Sequence, residues 1–264
     1  MIDPMIGPDQ RGTLFITRTL FVSGTGTGVG KTIVTAAIAA LARAAGQRVA
    51  VVKLAQTGVH DGPGSDTPDL ETITRLSGVT DTHELARFPA PLSPEAAARV
   101  SGLPPVDFVR AAAVIATLKA SRDLVLVEGA GGLLVRYDHA GATIADLAAA
   151  LDAPALIVTA AGLGTLNHTA LTLEAATARK VRSAGVVIGS WPRHPGLAER
   201  ENLADLETLI NGPLAGLLPE GSGSLPAAEF LAVAREGLGT SLGGRCRPSG
   251  DGTPDGQSPQ SIAY

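Results

Sequence analysis

The stretch Gly24-Thr25-Gly26-Thr27-Gly28-Val29-Gly30-Lys31-Thr32 constrains this chain more than any other. An apolar run, Leu20 to Val22, precedes it and reads as a short buried strand. Ile33 to Ala45 follows, with its larger apolar residues at helical spacing. Strand, glycine loop, Lys-Thr and helix in this order make a phosphate-binding loop. Glycine lets the backbone approach phosphate oxygens and turn its N–H groups toward them, and the helix N-terminus adds partial positive charge. Lys31 is placed to reach terminal phosphates, and the Thr32 hydroxyl to bind Mg²⁺. The common spacing puts the first glycine five residues before the second. Here Gly24 stands six residues before Gly30, and Thr25 occupies the common place. A glycine-rich turn after a strand has an ordinary structural reading too; Lys31-Thr32 between strand and helix decides against it.

The rest of the chain alternates strands and helices. Arg48 to Val52 is a second apolar strand, with Lys53 at its carboxyl end. Ligands of open parallel sheets bind beyond the carboxyl ends of strands, so Lys53 shares an edge with the phosphate loop. Thr57 to Asp69 reads as a loop, and Pro68 to Ser77 as a helix with Asp69 and Glu71 in its first turn. Ser93 N-caps a helix that opens at Pro94, and Val106 to Ala120 forms another. Leu124 to Val127 is a third strand, ending in Glu128-Gly129-Ala130-Gly131-Gly132. A carboxylate at such a strand end commonly holds Mg²⁺ beside a phosphate loop. After a helix (Thr143–Leu151) and a strand (Ala155–Thr159), the turn Gly162 to His168 opens a helix running to Arg179, whose N-terminus suits a second anion. A strand from Ala184 to Ile188 ends in Gly189-Ser190; Leu197–Ile210, Pro213–Leu218 and Pro226–Glu236 complete the alternation as helix, strand and helix.

This order predicts an α/β fold: a single doubly wound, mostly parallel sheet with helices on both faces, of the P-loop NTPase-like kind. Hydrophobic residues are 45% and aromatics only 3%, so its core must be built from Val, Leu, Ile and Ala. Residues 1–13 and 244–264 lack apolar periodicity and read as a disordered leader and tail around one domain, 14–243. A formal charge of −4 gives no broad field for nucleic acid. No apolar run reaches the ~18 residues of a membrane span, and no signal-peptide order opens the chain. One cysteine, Cys246, fits a reducing cytoplasm.

Together these motifs resemble the dethiobiotin synthetase family. Its phosphate loop reads Gly-Thr-x-Thr-x-Val-Gly-Lys-Thr, and Gly24 to Thr32 matches it with the extra residue. Val51 to Gly58, Ser93-Pro94, Val127 to Gly132 and Gly164 to His168 match four further motifs, in order, within residues 14–243. The resemblance implies ring-closing carboxylation of 7,8-diaminononanoate with CO₂ and ATP, through a carbamate and a carbamic-phosphoric anhydride. It implies Mg²⁺ at Thr32, Asp69 and Glu128, with Asp66 a rival to Asp69. It implies catalytic roles for Lys31, Lys53 and Thr25, and nucleotide contacts from Gly28, Val29, Gly30, Lys31, Thr32, Ile33, Asp69, Glu128, Gly129, Ala130 and Gly131. Thr25, Lys53, Thr57, Ser93 and Gly131 would face the diamine or carbamate. Gly164, Thr165, Leu166 and Asn167 would receive its carboxylate from the neighbouring subunit, which implies a homodimer with shared sites.

One departure concerns the base. Many members carry Asn-Asp after the fifth strand, where this chain has Gly189-Ser190. Glycine has no amide to read adenine, so other nucleoside triphosphates are expected to serve. Pro219-Glu220-Gly221 is expected to flank the base. The principal rival reading is a partition-type nucleotide-switch ATPase that binds protein partners. Such proteins carry a lysine early in the loop, where this chain has Gly26.

Overall fold

The computed structural model describes residues 18–60 and 67–246. The expected leader, Asp66 and the tail from 247 lie outside the described residues. In chain order the elements are β1 (Thr19–Gly24), α1 (Lys31–Ala44), β2 (Val49–Lys53), β3 (Gln56–Thr57), α2 (Asp69–Ser77), β4 (Thr82–Glu84), β5 (Arg87–Phe88), α3 (Pro94–Ser101), α4 (Phe108–Ser121), β6 (Leu124–Gly132), α5 (Ile144–Ala150), β7 (Ala155–Thr159), α6 (Thr165–Ala178), β8 (Ser183–Trp191), α7 (Leu197–Ile210), β9 (Gly216–Pro219) and α8 (Ala227–Gly237).

Seven strands form one sheet in the order β4-β2-β6-β1-β7-β8-β9, and its strand pairs are parallel. The central strands are aliphatic because both faces are covered, and alternate residues feed two cores. Leu20 and Val22 of β1 join Val34 and Ile38 of α1, Ile73 of α2 and Phe230 of α8. Phe21 joins Ile115 of α4, Leu147 of α5 and Ala176 of α6 on the other face. The same alternation splits Val49 and Val51 from Ala50 and Val52, and Leu124 and Leu126 from Val125 and Val127. Each such aliphatic is worth about 1.5–3 kcal/mol when fully buried. Helices on both faces of the sheet bury both sets.

The structure departs from expectation at the sheet's margins. β4 (Thr-His-Glu) pairs with β2 as an edge strand. Polar edge strands avoid further pairing and carry no apolar signal. Thr57, expected to open a loop, instead ends β3, which pairs with β5 in a separate two-stranded sheet. β6 runs on past Val127 through the glycines to Gly132. The ordered body also extends beyond 243: Arg245 and Cys246 donate backbone N–H groups to Arg235 and Leu238 carbonyls, so the start of the expected tail belongs to the fold. Among the described residues no helix is long and apolar enough to cross a membrane.

Candidate active site

The carboxyl ends of β1, β2 and β6 converge on a cleft of about 620 Å³. Gly28, Gly30, Lys31, Thr32, Ile33, Lys53, Thr57, Asp69, Ser93, Ala130 and Gly131 line it, eleven of the sequence-derived candidates drawn from distant parts of the chain. The loop after β1 turns into α1 at Gly30, whose φ of 93° is left-handed and favours glycine. A Cβ on Gly30 would also lie 2.5 Å from the Gly189 carbonyl oxygen. The end of β8 thus rests against the phosphate loop.

The floor of the cleft is a charged cluster. Parallel register sets Lys53 of β2 opposite Glu128 of β6. Lys53 Nζ lies 2.8 Å from Glu128 Oε1, 3.2 Å from the Gly129 carbonyl, and pairs with Asp69. The Thr32 hydroxyl is 3.0 Å from both Asp69 Oδ1 and Glu128 Oε1. Burial would lower the Lys53 pKa, but Glu128 and Asp69 outweigh it and hold the ammonium charged. Lys31, which donates to the Gly26 carbonyl at 2.9 Å, is lowered to about 8 by burial and by Lys53, against the pull of Glu128 and Asp69. Lys31 is therefore a cation short of counter-charge beside a nest of backbone N–H groups, the electrostatic state that an incoming polyphosphate satisfies.

Glu128 is completely buried, and its Oε2 has no hydrogen-bond partner. An orphaned buried carboxylate oxygen is costly unless a ligand completes it. With the Thr32 hydroxyl and Asp69 it offers three hard oxygen donors, the ligand type Mg²⁺ takes. Among the described residues no group of three or more His, Cys, Asp or Glu side chains forms a metal cluster. This set is two carboxylates and a hydroxyl.

Other candidates lie elsewhere. Thr25 is not among the residues lining this cleft; its Oγ1 lies 3.3 Å from Thr159 Oγ1. Thr25 borders a neighbouring depression of about 410 Å³ shared with Gly26, Gly132, Leu134 and Leu171. Val29 is buried beneath the loop. Gly189, Ser190, Pro219, Glu220 and Gly221 gather where β8 pairs with β9, with Glu220 N–H on the Trp191 carbonyl at 2.7 Å. Gly164 to Asn167 open α6 outside this chain's cleft, beside Leu163, which is 90% exposed. Ser93 occupies the N-cap of α3, but its side chain makes no cap hydrogen bond and lines the cleft instead.

Sequence reasoning missed Thr27 and Gln56. Thr27 lines both the cleft and the depression. Its place between two loop glycines was the available signal. Gln56 is buried, and its Oε1 accepts the Asp69 N–H at 2.9 Å, so it anchors the start of α2 and with it Asp69. No sequence signal marks a side-chain bond to a backbone thirteen residues on.

Residues 18–226 match the family model of an AAA domain. An ATP-dependent dethiobiotin synthetase of Frankia casuarinae is 63% identical over 86% of this chain and 94% of its own length. One of Rhodococcus jostii is 58% identical over 81% and 92%, and one of Streptomyces coelicolor 52% over 85% and 93%. Among solved structures, the septum site-determining protein MinD with Mg-ADP from Pyrococcus horikoshii aligns over 86% of this chain and 95% of that one, with a TM-score of 0.54 and 18% identity. The Pyrococcus furiosus cell division ATPase MinD aligns over 86% and 97%, at 0.51 and 17%. At such identity these two share the fold alone.

Proposed function

The chain belongs to the ATP-dependent dethiobiotin synthetase family, and from that premise we propose how its cleft closes a cyclic urea on 7,8-diaminononanoate from CO₂ and a nucleoside triphosphate. One amine takes up CO₂ as a carbamate. A carbamate oxygen attacks the γ-phosphorus and expels the nucleoside diphosphate, leaving a carbamic-phosphoric anhydride. The second amine attacks the anhydride carbon, phosphate departs, and the ring closes.

Phosphoryl transfer asks mostly for positioning and charge stabilisation. The loop N–H groups from Gly28 to Ile33 cradle the phosphates. Lys31, at the start of α1, and Lys53, at the end of β2, neutralise the γ-phosphate and carbamate oxygens. Thr32, Asp69 and Glu128 are the residues that would hold Mg²⁺, which when bound would supply charge neutralisation at the phosphates. Gln56 keeps Asp69 in place. Thr57 and Ser93 present hydroxyls on the far wall, toward the diamine. The observation that carries this reading is the buried Lys53–Glu128 pair, joined by Thr32 and Asp69 directly beneath the phosphate loop.

The substrate carboxylate is assigned to the Gly164–Asn167 helix start of a second copy. Its position outside this chain's own cleft supports that, as do Leu134 and Leu171, 46% and 55% exposed beside the loop. A homodimer would cover them. The lone cysteine fits a cytoplasmic enzyme. A phosphate-release assay on purified protein tests the function: release should require diamine, bicarbonate and Mg²⁺ together. Release indifferent to diamine would favour the nucleotide-switch reading.

A further inference from the structure

Four threonine hydroxyls form a chain between the phosphate loop and α6. Thr159, the last residue of β7, is completely buried at its centre. Its Oγ1 lies 2.7 Å from Thr165 Oγ1, 2.8 Å from Thr169 Oγ1 and 3.3 Å from Thr25 Oγ1. Each hydroxyl has one proton to give and two lone pairs. Thr165 Oγ1 is also 2.6 Å from the Ala160 carbonyl, which can only accept, so its proton is committed there. Thr159 must then donate to Thr165. With that proton used, Thr159 can only accept from Thr169 and from Thr25. All four directions are thereby set, and Thr25 gives its proton inward and turns only lone pairs outward.

We propose that Thr159 is a positioning residue that locks Thr25 as a hydrogen-bond acceptor for an N–H group of the diamine. Phosphate and carbamate oxygens carry no proton at neutral pH, and against them a locked acceptor sets lone pairs on lone pairs. An amine is a donor, and a carbamate nitrogen keeps one N–H. The polarity of the chain therefore selects the nitrogen end of the substrate and turns oxygens toward Lys31 and Lys53. This inference rests on the diamine reading above.

Steady-state phosphate release, with diamine and nucleotide varied separately, tests it. Thr159→Val keeps the shape and deletes the acceptor. It should raise the diamine KM about tenfold, the loss of one hydrogen bond, with nucleotide KM within about twofold. Thr159→Ser should restore the wild-type value. Thr25→Val should raise the same KM, and Thr25→Val/Thr159→Val should be no worse than Thr25→Val alone. Thr169 only donates into the chain, so Thr169→Val should leave the diamine KM unchanged. If Thr159→Val does not fold, the contrast between Thr25→Val and Thr169→Val carries the same test. An unchanged diamine KM in Thr159→Val, an equal rise in nucleotide KM, or an effect of Thr169→Val as large as that of Thr25→Val would each overturn the lock alone. A wild type whose phosphate release ignores diamine would overturn the reading of the site and the lock with it.

Discussion

Lys53 and Glu128 stand opposite each other in register across β2 and β6, with Nζ 2.8 Å from Oε1. Both side chains are buried, 4% and 0% exposed. A buried pair of this kind is weak as a source of stability, yet costly to break from one side. Its position at the strand ends, under the phosphate loop, gives it a chemical use.

Lys53→Ala should therefore act twice. Phosphate-release kcat should fall by about 10²–10³, the usual cost of removing one charge-stabilising donor, while nucleotide affinity by calorimetry changes far less. The variant should also lose about 3–5 kcal/mol in denaturant unfolding, because Glu128 is left buried and unpaired. Intact turnover would mean that Lys53 does not touch the transferred group.

Gly189 leaves no room for a base-reading side chain. A Cβ there would lie 2.1 Å from the Val29 carbonyl oxygen and 2.6 Å from Val158 Cγ1. With no amide at this place, catalytic efficiencies with ATP, CTP and GTP should agree within about tenfold, one hydrogen bond's worth of discrimination. Gly189→Ala should weaken all three together, since it must displace the phosphate loop. A strong preference for ATP would contradict this account of the base site.

Tyr137 provides a pH signature. Its ring is buried against Phe108, its hydroxyl accepts the Ala130 N–H at 2.6 Å, and burial pushes its pKa up to about 12. A raised phenol holds its proton more tightly folded than unfolded, so its contribution is complete below pH ~10 and fades toward pH ~12. Tyr137→Phe should cost about 1–2 kcal/mol at neutral pH through the orphaned N–H. The advantage of the wild type should fall by about 2 kcal/mol between pH ~10 and ~12, closing or reversing the gap. Parallel stability curves across that window would contradict it.

Leu171 tests the shared site. It is 55% exposed on the depression bordered by Thr25. Leu171→Asp should yield a monomer in sedimentation and raise the diamine KM while leaving nucleotide affinity intact. A wild type that is a fully active monomer at assay concentration would remove the neighbouring subunit from the site.

The sheet and most of the cleft were legible because their signals are local. The glycine loop, Lys53 and Glu128 each end an aliphatic strand, and parallel packing necessarily brings such ends to one edge. The polar strands β3, β4 and β5 were not legible, since neither composition nor period marks a two- or three-residue strand held by its neighbour. Gln56 was missed because its role is a tertiary bond to the Asp69 backbone. Thr25 was singled out as a substrate contact, but its spacing could not show that it faces the Thr159 hydroxyl. Gly189 read as a missing amide; only the packing revealed that no side chain fits there.

The most direct measurement supplies purified protein with the diamine, ATP, Mg²⁺ and isotopically labelled bicarbonate, and follows the product by mass spectrometry. A cyclic urea whose carbonyl carries the label is expected, formed with about one phosphate per ring and abolished by omitting the diamine. Phosphate released at the same rate without diamine, with no labelled urea, would contradict it.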